Sequence, residues 1–155
     1  MDIQWTEIWM NLLHLAIAYV LALPLALDRE RASRGAGLRT FPLVAVAACG
    51  YMLVGASLLT TTDAESRVIQ GLITGIGFIG GGAILKSDGY VKGTATAASI
   101  WITGLIGMAV AVNRYEVALL MSLISFMTLR FVREFKTPPD EKEEKEEEGR
   151  QNANN

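Results

Sequence analysis

The sequence predicts an all-α, polytopic transmembrane bundle of about five helices. Three observations carry that prediction. Half of the chain is apolar, the charges gather in short breaks and at the C-terminal end, and the apolar runs between them are near bilayer length. Hydrophobic residues make up 51% of the 155 and charged residues 19%, and a soluble helical domain would spread such charge along one face of every helix.

The runs cover residues 8–27, 41–59, 68–85, 94–112 and 117–132. Each approaches the ~20 residues that cross a ~30 Å hydrocarbon core. Trp5 and Trp9 stand where an interfacial aromatic belt is expected at the start of the first run. Asp2 and Glu7 precede that run with no base among them, so it lacks the positive flank of a cleavable signal and is expected to stay as a helix. Pro24 should kink or end it. Thr40-Phe41-Pro42 offers a cap and an early proline for the second helix. Ser87-Asp88-Gly89 is turn chemistry between the third and fourth. The fifth run is the shortest and carries Arg130, whose long stem can reach back to the interface.

Basic residues set the expected orientation. The first break holds Arg29, Arg31, Arg34 and Arg39, the third holds Lys86 and Lys92, and the fifth run ends with Arg130, Arg133 and Lys136. The alternate breaks hold only Arg67 and Arg114. With lysine and arginine kept inside, the N-terminus lies outside and the C-terminus inside after five crossings.

Residues 1–136 therefore read as one transmembrane domain, and residues 137–155 as an acidic, disordered cytoplasmic tail. Pro138-Pro139 stops the fifth helix, and the tail carries seven acids against three bases with no apolar face to bury. Removing it from the formal net charge of −2 leaves the body with nine acids and eleven bases. That balance suits basic cytoplasmic loops better than nucleic-acid binding, and no nucleic-acid partner is expected.

Motifs that elsewhere carry chemistry fail on context. Gly75-Ile76-Gly77-Phe78-Ile79-Gly80 spells G-x-G-x-x-G, but that fingerprint works only between a strand and a helix N-terminus. Here it lies in a membrane-length apolar run. Leu85 stands where a P-loop needs glycine before Lys86-Ser87. Cys49 is the only cysteine, which removes a disulfide framework and a thiolate metal site. No acidic residue falls deep in any run. His14 is the only titratable candidate there, with Asn11 on the same face. Thr74, Thr94, Thr96, Ser99 and Thr103 are candidates for hydrogen bonds between helices, and none has a neighbouring base that would make it a nucleophile. The chain thus reads as a non-enzyme without cofactor, catalytic residue or metal site.

Two stretches remain as candidate sites. Gly71 and Gly75, and likewise Gly77 and Gly81, stand four apart in the third run, Gly82-Ala83 extend the small surface, and Gly80 counts with them as a packing candidate. Such spacing lets helix backbones approach closely. It serves the protein's own bundle, a homo-oligomer or another membrane protein, or an unwound segment lining a polar cavity. Asp28-Arg29-Glu30-Arg31 follows the first run, and Gly37-Leu38-Arg39-Thr40 precedes the second. Alternating acids and arginines at an interface pair with one another, cap helices or hold phosphate headgroups. A cation site at Asp28 and Glu30 is disfavoured by the neighbouring arginines, and magnesium demands near-octahedral oxygen ligands that are scarce here.

Taken in order, Leu27 to Arg31, Gly37 to Thr40, Gly75 to Gly82, and Gly93-Thr94-Ala95-Thr96-Ala97-Ala98-Ser99-Ile100-Trp101 resemble the MgtC/SapB family of bacterial inner-membrane proteins over about residues 12–129. The resemblance implies a multi-helix membrane domain linked to growth under magnesium limitation and, in pathogens, to survival inside macrophages. It also implies that some members regulate the membrane sector of ATP synthase, a role that needs no intramembrane carboxylate. Gly93, Thr94, Thr96 and Trp101 become fourth-helix motif residues on this ground. Two features depart from the virulence-type members. They commonly read Gly-Leu-Asn-Thr-Ala-Ala across 93–98, where this chain has Ala95 in place of the asparagine. They also often continue into a soluble C-terminal domain where this chain has its acidic tail, so it reads as a short-form member.

The functional expectation is a non-enzymatic inner-membrane regulator in magnesium-limitation or acid-stress physiology, with the lipid bilayer and a membrane protein such as ATP synthase as partners. The alternative is a small oligomeric cation transporter or channel working through Asp28, Glu30 or His14.

Overall fold

The computed structural model describes residues 4–32, 36–58, 61–87 and 90–134. Five helices follow in order: α1 (Trp5–Ala32), α2 (Thr40–Leu58), α3 (Thr62–Gly82), α4 (Thr94–Ala111) and α5 (Tyr115–Glu134). Between α3 and α4 lies a short antiparallel pair, β1 (Leu85–Ser87) and β2 (Tyr90–Lys92), with Leu85 opposite Lys92 and Ser87 opposite Tyr90. Residues 137–155 lie outside the described residues, as do Arg34, Asp88 and Gly89.

Helix α4 is the centre of the bundle and packs against each of the other four helices. Its small residues explain this. A Cβ at Gly107 would run into the backbone carbonyl of Ala45 on α2, and one at Gly104 would run into the end of the Ile76 side chain on α3. One core cluster joins Ala18, Ala22, Ala45, Cys49, Ile106, Val110 and Ala118; the other joins Leu25, Phe41, Ala48, Ile76 and Ile100. Alanine dominates where helices cross, so contact comes from close backbones rather than large interlocking side chains.

The large apolar residues face the other way. Leu58 is 72% exposed and Phe78 84%, and Leu12, Leu13, Tyr51, Leu119 and Leu120 are also exposed. Soluble monomers rarely leave contiguous apolar patches beyond a few hundred Å², so this exterior is matched to hydrocarbon. Helices α1, α2 and α4 are each long and apolar enough to cross a membrane. Helix α3, with 21 residues, carries Asp63, Glu65 and Arg67 in its first two turns, and α5, with 20, carries Glu116 and Arg130 towards its ends. The protein is an all-α membrane bundle.

The boundaries of α1 and α3 differ from the sequence reading in ways that matter for the site. Helix α1 continues through Pro24 to Ala32, with Arg29 and Arg31 in its last turn, where cations complement the helix dipole. Helix α3 starts six residues earlier than expected, because Thr61 accepts the Ala64 N–H at 3.3 Å and Asp63 and Glu65 favour a helix start. It ends at Gly82 rather than Leu85, and residues 85–87 pair with 90–92 instead of extending the helix. The intervening Asp-Gly is a hairpin signal as well as a turn signal.

Candidate functional site

At the α1–α2 junction the two charged stretches meet. Asp28 and Arg29 are both buried, at 6% and 8% exposure, and form an ion pair at 2.5 Å. Glu30 Oε2 accepts the backbone N–H of Leu38 at 2.8 Å. The chain can come so close because residue 37 is glycine, since a Cβ there would collide with that same carboxylate. The Gly37 carbonyl then accepts the N–H groups of Thr40 and Phe41, at 3.0 and 3.1 Å, and α2 begins. Arg31 and Arg39 remain exposed. The expected ionic junction is present in part, with a backbone cap as its second half. Asp28 to Arg31 belong to the last turns of α1 rather than to a loop, which makes Asp28 a buried acid inside a helix.

The glycines of α3 divide over three faces, as positions four apart stack along a helix of 3.6 residues per turn. Ile76 and Gly80 face α4: both are buried, and a Cβ at Gly80 would stand 3.0 Å from the Ala97 carbonyl oxygen. Gly71 and Gly75 line a groove against α2. Gly77 and Gly81 form a third row. Among the described residues, no atom outside the helix's own backbone lies within 4 Å of the Cβ position at Gly71, Gly75, Gly77, Gly81 or Gly82. Among the described residues, close packing within the bundle therefore accounts for Gly80 alone of the six. Helix α3 stays helical to Gly82, where the Ala83 N–H donates to the Gly80 carbonyl at 3.0 Å and the Ile84 N–H to the Gly81 carbonyl at 3.1 Å.

In the fourth-helix motif, Gly93 has φ of 88°, and a Cβ on it would strike the Ala83 carbonyl oxygen. Both facts require glycine at the entry to α4. Thr94 is exposed, Thr96 is buried, and Trp101 projects outward at 54% exposure. Thr74, Ser99 and Thr103 each donate to the carbonyl four residues earlier in their own helix, so each hydroxyl proton is used within that helix.

Sequence reasoning marked His14 but missed its partners Asn113 and Tyr115, and missed Ser122, which also links helices. Ser122 on α5 donates to the Leu21 carbonyl on α1 at 2.7 Å. His14 Nε2 stands 3.1 Å from both Asn113 Oδ1 and Tyr115 Oη, while its Nδ1 lies 2.7 Å from the Met10 carbonyl oxygen. The Tyr115 hydroxyl also lies 3.0 Å from Asn113 Oδ1. Asn113 adopts φ of 60°, a left-handed turn residue between α4 and α5. Gly104 and Gly107 went unmarked because they stand three apart, outside the spacing of four. Among the described residues, no group of three or more His, Cys, Asp or Glu is placed to hold a metal ion.

A family model described as the MgtC family matches residues 15–137. The chain belongs to the MgtC family. Among its relatives, the Synechocystis protein slr0014 is 38% identical over 78% of this chain and 50% of its own length. SrpB of Synechococcus elongatus is 34% identical over 78% of this chain and 74% of its own length. MgtC of Salmonella typhimurium is 34% identical over 73% of this chain and 48% of its own length. This MgtC-family chain thus spans about half the length of slr0014 and of the Salmonella protein. No solved structure matches it.

Proposed function

We propose that this MgtC-family protein is a non-enzymatic, multi-pass inner-membrane regulator that acts through α3 on a membrane protein partner in magnesium-limitation or acid-stress physiology. The observation that carries the reading is the Gly77–Gly81 row, whose Cβ positions no other element among the described residues approaches within 4 Å. Glycine in a helix interior costs about 1 kcal/mol relative to alanine. A row of it left uncovered is accounted for by a second helix that packs backbone to backbone. The membrane sector of ATP synthase is the partner suggested by the family resemblance. With five crossings, the basic breaks put the N-terminus outside and the C-terminus inside.

The test is capture of defined partners from detergent-solubilised membranes with the tagged wild type, Gly77→Leu and Gly71→Leu. Gly77→Leu should lose ATP synthase membrane subunits while retaining its level and unfolding temperature, and Gly71→Leu should keep them. Equal recovery with all three proteins, or none with any, would remove the partner surface from Gly77.

A second reading, a small oligomeric cation transporter, is favoured by two observations. Asp28 is a buried carboxylate, and YhiD of Escherichia coli K12, 31% identical over 76% of this chain, carries the name of a candidate magnesium transporter. This reading requires ion flux in proteoliposomes that falls with Asp28→Asn.

A further inference from the structure

We propose that the groove between α2 and α3 seats an acyl chain of an anionic phospholipid, whose phosphate is held by Arg39. The groove encloses about 730 Å³, within the ~300–1,000 Å³ typical of ligand sites. Its walls are apolar, with Leu43, Val44 and Ala47 on α2 facing Leu72, Ile76 and Ile79 on α3. The two helices meet at the far end, where a Cβ on Gly55 would stand 3.4 Å from Val68. They part towards the start of α2 because Gly71 and Gly75 leave the α3 wall without side chains.

Length and charge select the occupant. The α2 wall runs from Thr40 to Tyr51 and the α3 wall from Val68 to Ile79, each ~16 Å at 1.5 Å per residue. That is the depth of one leaflet, half of a ~30 Å hydrocarbon core. A transmembrane helix from a second copy would need a groove twice as long. Arg39 lines the groove at the start of α2 and is exposed. Among the described residues it joins neither ion pair. A guanidinium at the mouth of an apolar slot of leaflet depth is complementary to a lipid phosphate with its chain below. The inference rests on the membrane reading of the chain and uses a face of α3 other than the Gly77–Gly81 row. Loss of partner binding and loss of lipid binding are therefore separable.

The test is native mass spectrometry and thermal unfolding of the purified full chain in micelles, titrated with phosphatidylglycerol, phosphatidylcholine or inorganic phosphate. The wild type should retain phosphatidylglycerol about fivefold better than phosphatidylcholine. Arg39→Ala should equalise the two lipids, and Arg39→Lys should keep most of the preference. Gly75→Leu, which fills the groove, should lower retention of both, with Val44→Trp filling it from the other wall should Gly75→Leu not fold. Equal retention by the wild type, or a preference that survives Arg39→Ala, would overturn the proposal. Competition by inorganic phosphate alone would assign Arg39 to a free anion, and a dimer abolished by Gly75→Leu would assign the groove to a second copy; either result overturns it.

Discussion

Glu30 and Gly37 are coupled: the carboxylate that accepts the Leu38 N–H occupies the space a Cβ on residue 37 would need. Seven residues apart in sequence, they close the α1–α2 connection as one device. Gly37→Ala should destabilise the protein by about 1–3 kcal/mol, the usual cost of forcing atoms into filled space. Glu30→Ala should cost about 1 kcal/mol for the exposed hydrogen bond. The double variant should cost less than the two single changes added, because removing the carboxylate clears most of the clash. Unfolding midpoints of the four proteins in micelles check the cycle, and additive effects would break the coupling.

The α4 glycines should be ranked by what they touch. Gly107→Ala drives a methyl group into the Ala45 backbone, whereas Gly104→Ala meets the mobile end of Ile76. The first should cost about 2–3 kcal/mol and the second about 1 kcal/mol. Gly71→Ala meets nothing and should be neutral or stabilising by up to about 1 kcal/mol. Thermal unfolding of the three variants side by side checks the order.

The His14–Asn113–Tyr115 cluster ties α1 to the α4–α5 turn. Tyr115→Phe removes a hydroxyl that bonds both of the others and should cost about 1–2 kcal/mol. Asn113→Ala should cost more than Asn113→Gly, because alanine loses the side-chain bond and also resists φ of 60°. Equal unfolding midpoints for the two Asn113 variants would contradict that account.

The helical fold could be read from the chain because apolar runs of bilayer length report themselves without any partner information. Boundaries were harder to read. Pro24 reads as a breaker, yet α1 passes through it, since tertiary packing at Leu25 and Ala26, both fully buried, holds the following turns in place. The glycine motif was visible as spacing, but which glycines are covered depends on how α3 rotates against α4. The sequence pattern alone does not contain that angle. Ser122 was invisible for a related reason, since its partner is a backbone carbonyl about one hundred residues away. Asp28 read as an interfacial loop acid because the apolar run stops at Leu27, and its burial follows only from the extra turn of α1.

The most direct test of the regulatory account is growth of a deletion strain in low magnesium, carrying the wild type or Gly77→Leu, with cellular ATP and magnesium content followed together. The account predicts that the wild type restores growth and normal ATP. Gly77→Leu, present at equal level, should leave ATP abnormally high and growth impaired at unchanged magnesium content. Full rescue by Gly77→Leu, or a growth defect with normal ATP and altered magnesium content, would contradict it, the second result favouring ion flux through Asp28.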